Sequence, residues 1–175
     1  MVSQYYGAGK REELSKSIGT SITLTAICTV FIMLLSTVVI RPILEILNTP
    51  VSIIEWCDSY LTILLMGVGG MAYYNILGGI LRGLGDSVSA LIYLLVATVI
   101  NIVLDIYFVA ILGMGVSGVA WATVIAQTVS SVLCLFKLLR MHHLFDLRLK
   151  ELVPCMEQTS NLFRLGLPSG LTQAI

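Results

Sequence analysis

The stretch VSALIYLLVATVINIVLDIYFVAIL, Val88 to Leu112, carries a single charge, Asp105. A hydrocarbon core about 30 Å thick is crossed by about 20 apolar residues in helix, so this run reads as a membrane span. Three more runs qualify, and none of them is charged: Ser17 to Ile40, Ser59 to Leu81 and Val116 to Leu135. A fifth begins near Leu162 and reaches Ile175. Of the whole chain, 57% is hydrophobic and 11% charged, with mean hydropathy +0.96. Soluble domains carry about 25% charged residues. So little charge would leave a water-facing surface uncovered, and the solvent for these spans is lipid.

The connections between the runs agree. Arg41 to Asp58 holds Pro42, Asn48, Thr49 and Pro50, which favour turns and stop helices. Gly83-Leu84-Gly85-Asp86 and Gly113-Met114-Gly115 read as tight turns, and short turns make neighbouring spans antiparallel. Gly67, Gly69 and Gly70 in the second run weaken its helix and allow a bend. The expected organisation has residues 1–16 as the cytoplasmic end of a preceding helix with its loop. A four-helix membrane part over 17–136, a charged linker over 137–161 and the start of another helix over 162–175 follow. The fold class is therefore an all-α polytopic membrane protein with four complete spans and part of a fifth.

Orientation follows from the basic residues, which stay cytoplasmic. Lys10, Arg11, Lys16, Arg82, Lys137, Arg140, Arg148, Lys150 and Arg164 fall on one side of four antiparallel spans, and only Arg41 falls on the other. The Met1 end, the Arg82 turn and the linker are expected to be cytoplasmic. A net charge of zero gives no footing for a nucleic-acid partner. Cys28, Cys57, Cys134 and Cys155 lie far apart and read as small apolar residues, not a metal or disulfide framework. The apolar run after Lys10 and Arg11 is too long for a secretory signal, so none is expected.

Asp105 is the strongest chemical signal. A carboxylate inside a span costs about 2.5–3.5 kcal/mol on insertion scales and faces a cavity or a partner. Asn101 lies one helical turn before it, and Thr98 extends the same stripe. Carboxylate, amide and hydroxyl are hard oxygen groups, suited to Na⁺ or a proton relay and not to zinc or copper. With the third and fourth runs centred near Ile100 and Gln127, Asp105 and Thr123 lie about 6–7 Å outward of the midplane at about 1.5 Å per residue. That estimate brings Thr123 level with Asp105 and Gln127 level with Asn101. Thr98, Gln127 and Tyr60 are candidate cleft-lining residues, while Tyr73, Tyr74 and Tyr107 read mainly as interfacial anchors. Gly118, Ala122 and Ala126 recur every fourth residue and would let helices approach closely. Gly166-Leu-Pro-Ser-Gly170 is not a nucleophile elbow, Gly7-Ala-Gly-Lys10 lacks phosphate-loop spacing, and His142 and His143 read as solvated. No enzymatic constellation is expected.

Four segments together resemble the multidrug and toxic compound extrusion (MATE) family. Gln4-Tyr-Tyr-Gly-Ala-Gly9 before a basic segment is similar to the cytoplasmic end of its second helix. Gly79-Ile-Leu-Arg-Gly-Leu-Gly-Asp86 is similar to the turn between helices four and five, Asn101-Ile-Val-Leu-Asp105 to the fifth-helix N-x-x-x-D, and Gly115-Val-Ser-Gly-Val-Ala-Trp-Ala-Thr123 to the entry of helix six. The resemblance implies that the four runs are helices three to six of about twelve arranged in two lobes. It implies export of organic cations or amphipathic drugs in exchange for Na⁺ or H⁺, with no other cofactor. Asn101, Asp105 and Thr123 match the family's amino-lobe cation site, and Na⁺ at Asp105 is the only metal expected. The family's first helix brings a further carboxylate there, which this chain lacks, as it lacks the carboxyl-terminal lobe. The chain is accordingly expected to be an inactive fragment of a carrier in a cell membrane, the bacterial inner membrane for preference. Three other readings compete, one of them an intramembrane enzyme, which would need a second catalytic group at matching depth, and none is present. A lipid-linked saccharide flippase would want cationic residues in the spans, and none is there. A structural membrane subunit would use Asp105 for packing alone.

Overall fold

The computed structural model describes residues 1–141, 144, 145, 158–160, 162, 164 and 166. The expected linker and fifth span therefore fall largely outside the described residues. Among those described, every regular element is helical: α1 (Val2–Gly7), α2 (Arg11–Ile46), α3 (Val51–Met66), α4 (Val68–Gly83), α5 (Ser87–Asp105), a π turn (Ile106–Ile111) and α6 (Gly115–Arg140). Three helices are long and apolar enough to cross a membrane: α2, α5 with its π turn, and α6. The bent pair α3–α4 counts as a fourth. The protein is a multi-span α-helical membrane protein, as the sequence predicts.

Two boundaries differ from expectation. The first span does not stop near Pro42; α2 continues through it to Ile46. Proline removes one helical hydrogen bond, but so near the helix end little is left to break. The chain instead turns at Asn48, whose φ is 52°, and Thr49 N–H closes back on the Leu44 carbonyl at 3.1 Å. The second span starts earlier, at Val51, so Glu55 and Asp58 are helical and not part of a connection. Charge at the outer end of a helix meets water and does not forbid the helix. At Gly67 this span bends by 44° between α3 and α4. Three glycines in four residues each cost a helix about 1 kcal/mol relative to alanine, and the break falls where they cluster.

The inter-span turns carry their own chemistry. Gly85 takes φ 90°, a conformation open to glycine. Asp86 then caps α5, accepting from the Ser89 amide at 3.0 Å and the Ser89 hydroxyl at 2.8 Å. Its other tie is Lys137 in the last turn of α6, at 3.0 Å. Lys137 and Arg140 extend α6 beyond its apolar run, as cations at a helix carboxyl end do.

α6 is the central helix, packing against α3, α4, α5 and the π turn. Gly118, Ala120, Ala122 and Ala126 are all buried on it. At Gly118 an added Cβ would stand 3.0 Å from Phe108 Cβ, so the small stripe sets the approach to the π turn. The main core lies at the end of the bundle that carries the Gly83–Asp86 turn, where Leu14, Ile18, Leu77, Ile80, Leu81, Leu84, Ala90, Cys134, Leu138 and Phe145 cluster. Polar ties also join spans: Tyr73 Oη donates to the Ile22 carbonyl at 3.3 Å, and Ser130 Oγ to the Tyr93 carbonyl at 2.9 Å.

Candidate cation site

Asn101 and Thr123 meet. Asn101 Nδ2 donates to Thr123 Oγ1 at 3.4 Å, and that hydroxyl donates onward to the Val119 carbonyl at 3.0 Å. One turn beyond Asn101 on α5, Asp105 has its Oδ1 buried with no hydrogen-bond partner. Gln127 Oε1, one turn along α6 from Thr123, is likewise buried and unpartnered.

The register differs from the depth estimate. Thr123 is level with Asn101, not Asp105, and the Ser130–Tyr93 bond and the Gly118–Phe108 contact follow the same pairing. On that register Gln127 faces the Ala97–Thr98 level, about 12 Å along the axis from Asp105 at 1.5 Å per residue. The cause is the π turn that follows Asp105. Its wider winding takes up more chain per unit of depth than α-helix, so the α5 side needs more residues to reach a given depth. No glycine or proline in Ile106–Ile111 announces it. The turn is nevertheless a local feature of the kind that recurs at functional sites.

The remaining candidates stand apart. Thr98 is exposed, and its hydroxyl is spent on the Leu94 carbonyl at 2.9 Å. Tyr60 is half-buried on α3, which packs on α2 and α6 and not on α5. Asn101 and Thr123 are thus joined, with Asp105 one helical turn from Asn101 on α5 and Gln127 one turn from Thr123 on α6. Buried polar atoms in native proteins are paired in the great majority of cases. A carboxylate oxygen inside a span with no donor is therefore a group whose partner is a proton, a cation or another helix.

Fold and site together define the class: a polytopic integral membrane protein with an ionisable group set inside its spans, the build of a transporter. Comparison with known proteins takes this further. The MatE family model matches residues 1–107, and the chain belongs to that family. The probable multidrug resistance protein YoeA of Bacillus subtilis (strain 168) is 34% identical over 100% of this chain and 39% of its own length. The probable multidrug resistance protein YpnP of the same strain is 32% identical over 76% of this chain and 29% of its own. Among solved structures, the outward-facing conformation of a multidrug resistance MATE family transporter of the MOP superfamily superposes with TM-score 0.92. It is 29% identical over 99% of this chain and 39% of that one. The chain thus spans well under half the length of the relatives it matches. Its family is one of transporters and not of enzymes in the usual sense.

Proposed function

We propose that this chain supplies helices three to six of the amino-terminal lobe of a multidrug carrier that exchanges organic cations or amphipathic drugs for Na⁺ or H⁺. The observation that carries the reading is the buried, unpartnered Oδ1 of Asp105, one turn from an Asn101 already bonded to Thr123. Asp105 would hold the coupling ion, with Asn101 and Thr123 fixing the neighbouring oxygen groups. A bound ion drives exchange only by binding one conformational state more tightly than the other. An intramembrane carboxylate does this readily, because its solvation differs wherever the cleft opens or closes.

The basic residues put the Met1 end, the Arg82 turn and the 137–161 linker in the cytoplasm, with 162–175 opening the second lobe. The chain's share of its relatives' length supports a part that works only within a longer carrier. The membrane would be a cell membrane, the bacterial inner membrane for preference.

The test follows a fluorescent organic cation in inside-out vesicles bearing the carrier, under imposed Na⁺ or H⁺ gradients. Parent protein is expected to respond to one gradient. Asp105→Asn is expected to insert normally and to lose at least about tenfold of that response, as loss of a charged ligand does. Equal transport by the variant would return Asp105 to a structural role.

A further inference from the structure

α6 is gripped on two adjacent faces. One carries Thr123, bonded to Asn101. The next carries Val124 and Thr128, each one residue beyond Thr123 and Gln127, and this face meets the bend of the second span. At Gly67, where the span bends by 44°, an added Cβ would collide with both methyls of Val124. At Gly70 it would lie 2.6 Å from Thr128 Oγ1 and 3.0 Å from Thr128 N. Gly69, between them, would meet only Thr29 Cγ2 at 3.4 Å, an ordinary contact. The two glycines that face α6 have no room for a side chain, and the one that faces α2 has.

We infer that Gly67 and Gly70 are positioning residues for the cation site: their bare backbone lets α6 lie where Thr123 reaches Asn101. This rests on the reading of Asp105, Asn101 and Thr123 as that site. Carbon atoms in contact need about 3.5–4.0 Å, so alanine at position 67 demands that α6 give by about 1 Å. Val124 is β-branched and has few rotamers through which to yield. The Asn101–Thr123 bond, at 3.4 Å, is already at the long end of hydrogen-bond reach. A binding constellation must be held within about 0.5 Å. The glycines therefore act on the ion through α6, without touching it.

The experiment measures, in vesicles bearing the carrier, the concentration of coupling ion that gives half-maximal efflux, separately from the maximal rate. Gly67→Ala is expected to raise it by roughly tenfold or more, the usual scale for a residue behind a ligand. Gly67→Ala with Val124→Gly removes the collision, since the Val124 Cβ itself would stand 2.9 Å from the new methyl, and is expected to return it to within about twofold of the parent. Gly69→Ala stiffens the same helix without a clash and is expected to leave it unchanged. Should Gly67→Ala fail to insert, Val124→Ile crowds the same contact more gently and is expected to shift the value in the same direction. The inference is overturned if inserted Gly67→Ala keeps the parent value, if the double variant stays shifted, or if Gly69→Ala shifts it equally. Failure of the site reading is separate: it shows as Asp105→Asn keeping the parent's ion response. An unshifted Gly67→Ala beside a dead Asp105→Asn sinks the positioning role alone.

Discussion

The two ends of the bundle are built differently. At the end that carries the Gly83–Asp86 turn, α4 buries Tyr74, Leu77, Gly78, Ile80 and Leu81, and they pack with Leu14, Ile18, Leu84, Leu138 and Phe145. At the opposite end, α3 and the π turn bury no residue of their own. The second span shows the contrast along one helix, with the 44° break at Gly67 dividing its two halves. The packed end holds the helices in register, and the open end carries a carboxylate oxygen with no hydrogen-bond partner. Asp105 belongs to the open end. A buried carboxylate would be costly in a dry, closed core, so the site lies where apolar packing gives way.

The sharpest way to break this comparison is to remove side chains from each end. Leu81 is fully buried, and Leu81→Ala is expected to destabilise by about 2–5 kcal/mol, the cost of a core cavity. Ile46, at the carboxyl end of α2, is 77% exposed, and Ile46→Ala is expected to stay within about 0.5 kcal/mol. Thermal unfolding of the detergent-solubilised carrier reads both, and equal losses would end the distinction.

A smaller effect tests how the packed end is tied. Burial pushes the Asp86 carboxyl up, but hydrogen bonds from the Ser89 amide and hydroxyl and from Lys137, with the Lys137 charge, hold it below its usual range. Asp86→Ala is expected to cost about 0.5–2 kcal/mol, the range for a lost helix cap. A lowered folded pKa means that the stability is present above the ordinary carboxylate range and lost as pH falls through the lowered value. The gap between parent and variant should therefore be full at neutral pH and close only in stronger acid. A gap that did not change with pH would mean that the charge of Asp86 contributes nothing.

The smallest effect is expected at the water-facing start of α2. A hydrogen bond from Lys16, then its charge, lowers the Glu12 carboxyl, with the pair at 2.8 Å. Both groups are exposed, and exposed pairs contribute little. Glu12→Gln should leave the unfolding temperature unchanged, and a clear drop would show that the packed end extends into the loop.

Much of this was legible because lipid imposes a blunt code. Four apolar runs, their glycine turns and the lone Asp105 are visible as composition, since every backbone group in lipid must be satisfied within the helix. Gly67, Gly69 and Gly70 announced a bend because glycine is the residue a helix holds least well. The family match, over residues 1–107, takes in three of the motifs legible in the sequence: Gln4–Gly9, Gly79–Asp86 and Asn101–Asp105. The span ends were less legible, as Pro42 and the helical Glu55 and Asp58 show. Near water, propensity and polarity no longer discriminate between helix and turn.

By itself, then, the sequence determined that the chain is a stack of membrane helices with one carboxylate in a span and an amide a turn away. Those facts depend on neighbours within a single helix, at a spacing that every helix shares. Only the tertiary structure decided that Thr123 pairs with Asn101 and not with the level of Asp105. It also decided that Thr98 spends its hydroxyl on its own helix, and that Gly67 and Gly70, but not Gly69, press on α6. Each of these depends on the relative depth and rotation of two helices. The π turn after Asp105 resets that depth by a residue or two, with nothing in Ile106–Ile111 to mark it.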